Sequence, residues 1–316
     1  MRHPFIERAA PSAAAPTSVV FPTRHHPRDR AAPWLDQHFF DEIEVSWRTG
    51  QRAIWGLIKA RQAPCFTPSL LRELLRLRDL VEDNLAQPDR SERARYFVLG
   101  SKTPRVFNFG GDLRLFSELI RARDAEALRG YAYDCVEAIY RNLGHELPVT
   151  SIALVQGDAL GGGFEAALSF DVLVAERSAK FALPEIMFNL FPGMGAYALL
   201  ARRIGPAQAE RLILGGLSYT ADDLKAMGLV DVVAEDGRGV EAVEAFIAAN
   251  ERSYEARRAI HTLRKRTWPI TREELRQATD LWVETAMQLP MEDLRRMGHL
   301  RAAQDRRLRA QDRALS

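Results

Sequence analysis

The 316-residue chain has only two cysteines, Cys65 and Cys135, far too few for a disulfide framework. Their scarcity points to a reducing compartment, so a cytoplasmic location is the expectation. No apolar run reaches the ~18 residues that a membrane span needs. Charge of one sign is also missing, since 44 basic residues nearly balance 42 acidic ones. That balance gives no electrostatic argument for nucleic acid or an anionic membrane. Seven histidines occur, but none forms an HExxH pair, and the cysteines lack zinc spacing, so no metal site is expected. There is no P-loop, and "GLSYT" is not a G-x-S-x-G elbow, which removes the common serine-hydrolase reading.

What is present is a globular composition, with 47% hydrophobic residues. Residues 1–33, broken by prolines and without a continuous apolar stretch, read as a flexible tail. "FFDEIEVSWR" and "RAIWGLIKA" read as a hairpin around "TG". "TPSLLRELLRLRDLVEDNLA" has Thr67 as a candidate cap and leucines at helical spacing. "RYFVLGS", "VTSIALVQ", "DVLVAE" and "LVDVVA" read as strands, separated by helix-like segments. Alternation of this kind predicts an α/β core with crossover connections over residues 34–250. Four helix-like segments close the chain, roughly from Arg238 to Arg313, with residues 251–316 expected to cover a pocket, support assembly, or both.

Two glycine turns carry the chemical interest, Gly110-Gly111-Asp112 and Gly161-Gly162-Gly163, each opening a helix. Helix N-termini present unpaired N–H donors. Glycine lets that backbone approach a ligand closely. Two such turns brought together would hold a developing oxyanion. Each alone is equally consistent with tight loop packing. Glu165 lies two residues beyond Gly163, and Glu185 follows Pro184; both sit in locally apolar sequence. Burial there would raise a carboxyl pKa and suit a pair to shared acid and base work. Against this, Glu165 also satisfies a plain helix-start preference, and Glu185 a plain turn. Gly161 to Ala166 fits the dinucleotide pattern G-x-G-x-x-A, but "GDAL" separates the strand from the glycines, and Glu185 does not end a second strand.

"SIALVQGDALGGGFEAALSFDVLVAE", "FALPEIMFNLFPGMGA" and "GLVDVV" together resemble the crotonase (enoyl-CoA hydratase/isomerase) superfamily, over roughly Glu92 to Ala248. The resemblance implies a crotonase-type ββα-spiral core, homotrimeric assembly, acyl-thioester substrates and no cofactor beyond the carrier's phosphopantetheine. It implies an oxyanion hole from the backbone N–H groups of Gly111 and Gly162, with Glu165 and Glu185 as the acid/base pair. Which glutamate is acid and which is base stays open. "NFGGDLRLF", "FPGMGAY" and "LWVETAMQL" further resemble synthases of diffusible signal factor, from about Val106 to near Leu300. That likeness implies dehydration of a 3-hydroxyacyl-carrier-protein thioester, its hydrolysis to a free cis-2-unsaturated acid, and acyl carrier protein and a cognate sensor as partners. Met194, Trp282 and Leu300 would lie near the acyl pocket, with Gly161, Phe188 and Leu190 as further substrate-binding candidates. The alternatives are a general hydratase or isomerase acting on acyl-CoA, and a non-catalytic fatty-acid- or sensor-binding protein.

Overall fold

The computed structural model describes residues 34–35, 38–61, 63–143 and 147–315, with side chains to residue 309. The tail read at residues 1–33 lies outside them. Strands β1 (Ile43–Arg48) and β2 (Ala53–Ile58) pair antiparallel around a 3-10 turn, as the "TG" hairpin requires. Helix α1 (Pro68–Leu85) starts at Thr67, whose hydroxyl accepts the Leu70 N–H at 3.1 Å, with proline at the first helical position. Then come β3 (Tyr96–Ser101), β4 (Val106–Asn108), α2 (Leu113–Arg121) and α3 (Ala125–Leu143). The next turn of chain is β5 (Thr150–Val155), β6 (Asp158–Leu160) and α4 (Gly162–Leu168). It is followed by β7 (Val172–Glu176), β8 (Lys180–Ala182), α5 (Ala196–Ile204) and α6 (Pro206–Gly215). β9 (Ser218–Thr220), α7 (Ala221–Ala226) and β10 (Val232–Ala234) complete the strands. Four helices follow: α8 (Gly239–Asn250), α9 (Tyr254–Thr267), α10 (Arg272–Met287) and α11 (Met291–Leu315).

The strands form two sheets. One has six strands in the order β1-β2-β3-β5-β7-β10, parallel apart from the β1–β2 hairpin. The other has four short strands in the order β4-β6-β8-β9. Each winding lays a long strand in the first sheet, a short one in the second, and then a helix. This is the ββα spiral. The long strands are buried on both faces, so they read as near-continuous apolar runs. Ile54, Phe97, Leu99, Ala153 and Leu173 face the main core, while Trp55, Val98, Ile152, Leu154 and Val174 face α8. Sequence reading missed β4 and β6. The "GDAL" taken as a spacer holds β6, and a second short strand stands between "YFVLGS" and the Gly110 turn.

The C-terminal helices turn back over the spiral. Trp282 and Val283 of α10, and Leu294 and Met297 of α11, bury against Ile120, Leu128 and Phe188. Arg307 of α11 forms an ion pair with the buried Asp158 of β6. Among the described residues no helix is long and apolar enough to cross a membrane. Nor, among them, does any group of three His, Cys, Asp or Glu side chains stand ready to hold a metal ion.

Candidate active site

The first glycine turn is fixed by what lies around it. Asn108 Oδ1 accepts the Gly110 N–H at 2.7 Å, and the Gly110 carbonyl accepts the Phe66 N–H at 2.7 Å. The hydroxyl of Tyr131 accepts the Asp112 N–H at 3.0 Å and donates to the Phe66 carbonyl. The turn is thus pinned on both sides of Gly111. Among the described residues the Gly111 N–H meets no acceptor.

The second turn is shaped by close approach. A Cβ on Gly161 would stand 2.6 Å from Glu185 Oε1, and one on Gly162 would stand 2.4 Å from Met194 Sδ. Only a bare backbone fits between those groups. Gly162 is the first residue of α4, so its N–H has no place in the intrahelical ladder. It meets no other acceptor among the described residues. The same added Cβ would lie 3.5 Å from Gly111 N, so the two glycine turns adjoin. Two free N–H donors therefore share one wall of a cavity.

The two carboxyls face that cavity. Glu165, in the first turn of α4, is 1% exposed. Its Oε1 accepts the Met194 and Ala196 N–H groups, each at 2.8 Å, at the start of α5. Burial raises its pKa towards neutrality, and the two N–H donors pull it back down. Glu185 sits on a 3-10 turn, Pro184–Phe188. The residue is half-buried, but its Oε2 is fully buried and has no hydrogen-bond partner. Burial raises its pKa, and the neighbouring Glu165 charge raises it further. Two carboxyls coupled in this way titrate as a pair, sharing one proton near neutral pH. The charge better stabilised by hydrogen bonds, with two N–H donors, is that of Glu165. The proton accordingly rests on Glu185.

All ten residues expected from sequence line this one cavity: Gly111, Gly161, Gly162, Glu165, Glu185, Phe188, Leu190, Met194, Trp282 and Leu300. It encloses about 600 Å³ of atom-free space, mouth included. Trp282 packs against Phe116, with ring centroids 4.9 Å apart. Sequence reasoning missed Phe116, Tyr131, Cys135 and Gln304, which also line it. For Tyr131 a signal existed: Leu128, Tyr131 and Cys135 fall on one helical stripe.

With that geometry in view, the kinship of the chain is plain. The family model for enoyl-CoA hydratase/isomerase matches residues 72–304, and the chain belongs to that family. Rat mitochondrial methylglutaconyl-CoA hydratase is 33% identical over 174 residues, 55% of this chain and 52% of that protein. The enoyl-CoA isomerase/hydratase fer4 of Mycosarcoma maydis is 32% identical over 168 residues, 52% of this chain and 59% of that protein. The chain thus spans about half the length of the curated relatives it matches. Among solved structures, enoyl-CoA hydratase from Bacillus halodurans superposes with a TM-score of 0.68 at 22% identity, over 82% of this chain and all of that one. DspI of Pseudomonas aeruginosa superposes with a TM-score of 0.60 at 28% identity, over 78% of this chain and 86% of that one. The fold is the crotonase fold.

Proposed function

We propose that this chain interconverts 3-hydroxyacyl and 2-enoyl thioesters, and that its working direction is dehydration followed by thioester hydrolysis, releasing a free cis-2-unsaturated fatty acid. The observation that carries the reaction is the coupled carboxyl pair set beside two unpaired N–H donors. An α-proton beside a thioester is only weakly acidic, so its removal needs a positioned base and a stabilised enolate oxygen. The thioester oxygen accepts from the Gly111 and Gly162 N–H groups. Glu185, packed against Gly161 beside those donors, serves the α-carbon. Glu165 serves the β-carbon.

Dehydration runs from the other tautomer of the pair, with the shared proton on Glu165: ionised Glu185 takes the α-proton and the electron pair moves onto the thioester oxygen. The pair then returns to form the double bond as the β-hydroxyl leaves with the Glu165 proton, as water. Hydrolysis re-uses the same hole. Water adds to the thioester carbonyl, the oxyanion is held by the two N–H groups, and the thiol departs with a proton. Support for the signal-synthase direction comes from "FPGMGAY" and "LWVETAMQL", which contribute Met194 and Trp282 to the cavity wall. A cytoplasmic homotrimer, served by acyl carrier protein and bound by a sensor, belongs to the same reading.

A second reading, a reversible acyl-CoA hydratase, has its own support. With Glu165 held ionised and the proton on Glu185, the resting pair is ready for hydration. One experiment separates the two. Purified protein is given 3-hydroxydodecanoyl-carrier-protein or 2-dodecenoyl-CoA, and free thiol and free acid are followed together. Free cis-2-enoic acid with stoichiometric thiol establishes the synthase. Hydration of the enoyl-CoA with no thiol release replaces it with the hydratase.

A further inference from the structure

Beside the reaction cavity lies a second one, with about 530 Å³ of atom-free space, open solvent included. Leu71 and Leu77 of α1, Phe97 and Leu99 of β3, and Phe107 of β4 give it an apolar wall. Met194 stands in the wall of both cavities. Its flexible thioether side chain is therefore common to the reaction cavity and this rear chamber.

Three polar side chains interrupt the apolar wall: Arg78, Asn108 and Asn142. Arg78 is 4% exposed, and its Nε and Nη1 are buried with no hydrogen-bond partner among the described residues. The carboxylates whose charge it feels are bonded elsewhere, Glu82 to Arg141 and Asp171 to Lys265. Its one described contact as a cation is the Phe97 ring, 5.5 Å from the guanidinium carbon. Asn108 Nδ2 and Asn142 Oδ1 are likewise buried and unsatisfied. The other half of each amide is bonded, to the Gly110 N–H and to Ser169 Oγ, which fixes both orientations. Buried polar atoms are as a rule satisfied by protein, water or ligand. A buried cation without a counter-charge is especially costly.

We propose that the rear chamber binds an apolar-chain carboxylate, its head on Arg78 and its chain running along the apolar wall towards Met194. A carboxylate matches the planar guanidinium and neutralises it, which ordered water would not do. Asn108 Nδ2 supplies one further donor. The chain matches the apolar wall of Leu71, Leu77, Phe97, Leu99 and Phe107, which a compact inorganic anion would leave without a partner. The carboxylate has two sources, a free fatty acid or the far end of an acyl chain threaded past Met194.

Binding is measured by calorimetry on the full chain with decanoate and with decan-1-ol. This measurement involves no turnover, so it stands or falls apart from the reaction proposed above. Wild type should bind the acid at least about tenfold more tightly than the alcohol. Arg78→Met should lose that preference and, without ligand, melt above wild type, because an unpaired buried charge is gone. Equal affinity of wild type for acid and alcohol, or undiminished decanoate binding by Arg78→Met, overturns the proposal. Should Arg78→Met fail to fold, a wild-type crystal with 10-bromodecanoate decides. The carboxylate must lie within hydrogen-bond reach of Arg78, and occupancy of the reaction cavity alone overturns the site. A further arm separates the sources. If Arg78→Met slows turnover of a thioester ending in a carboxylate but not of its plain analogue, the anion arrives on the substrate. If it slows neither, the free acid is the ligand.

Discussion

The two sheets divide the labour of the molecule. The inner strands of the six-stranded sheet, β2, β3, β5 and β7, are long, parallel and almost wholly buried, with core on both faces. The four-stranded sheet is built from three-residue strands, and the ends of these strands carry the site. β4 runs into the Gly110–Gly111 turn, β6 into the three glycines, and β8 into the turn that holds Glu185. Long strands hold position through many cross-strand pairs. Short ones can end abruptly, which leaves backbone N–H groups free at the same level. The sharpest way to break this division is to change one layer and find the effect in the other.

The largest effect should come from the site layer. Glu185→Gln keeps the size of the side chain and removes its proposed proton transfer. Its rate of dehydration or hydration should fall about 100- to 10,000-fold, with unfolding at neutral pH no easier than in wild type. A rate within twofold of wild type would mean that Glu185 is not in the reaction. In the long-strand layer the expected outcome is the reverse. Leu154 is fully buried on β5, on the face turned towards α8 and away from the cavity. Leu154→Ala should cost about 2–5 kcal/mol of stability in denaturant unfolding, with kcat per folded molecule unchanged. A drop in kcat for the folded fraction would show that the two layers are not independent.

The same division explains what the sequence could reveal. Long strands such as "VTSIALVQ" and "DVLVAE" were legible, because burial on both faces writes a continuous apolar run. α1 was legible from Thr67 and its leucine spacing. β4, β6 and β9 were not, since three residues give no period to read and, unlike β10 in "LVDVVA", they lie outside any longer apolar β-branched run. The candidate site residues were legible for another reason. Glycines and carboxyls are conspicuous in apolar surroundings, so Gly162, Glu165 and Glu185 stood out before any fold was known. Their convergence on one cavity was expected only through the family resemblance, because Gly111 and Gly162 meet through the packing of two short strands that no local pattern announces. Arg78 gave no sign at all. On an amphipathic helix it reads as one more solvated arginine, and only its burial beside Phe97 sets it apart.

A smaller effect tests the hinge between the layers. Tyr131 belongs to α3, yet its hydroxyl holds the Gly110–Gly111–Asp112 turn against Phe66. Tyr131→Phe removes both bonds and leaves the Phe66 carbonyl and the Asp112 N–H without that partner. Stability should fall by about 1–3 kcal/mol. Because the turn carries a proposed oxyanion donor, the rate should fall about tenfold as well, chiefly in kcat. A loss of stability with full kcat would remove Tyr131 from the positioning of Gly111.

The smallest effect concerns the stability that the site layer gives up. A carboxyl whose pKa is raised by folding binds its proton more tightly in the folded chain than in the unfolded one. Its ionisation therefore opposes folding. The cost begins near the ordinary glutamate value, about pH 4.3, grows as pH rises, and levels off once the raised value is passed. Both Glu165 and Glu185 are raised, chiefly by burial, so both act in this direction. Glu185→Gln imitates the protonated form at every pH. Its melting temperature should match wild type near pH 4 and exceed it at pH 8, by something on the order of 2–4 °C. Activity follows a related rule. In the proposed reaction the pair needs one proton, so the rate should fall at low pH, where both carboxyls are protonated, and at high pH, where neither is. With both values raised, the bell should centre well above the ordinary carboxylate range. A variant no more stable than wild type at pH 8 would mean that Glu185 ionises without strain. The four-stranded layer would then be no less settled than the six-stranded one.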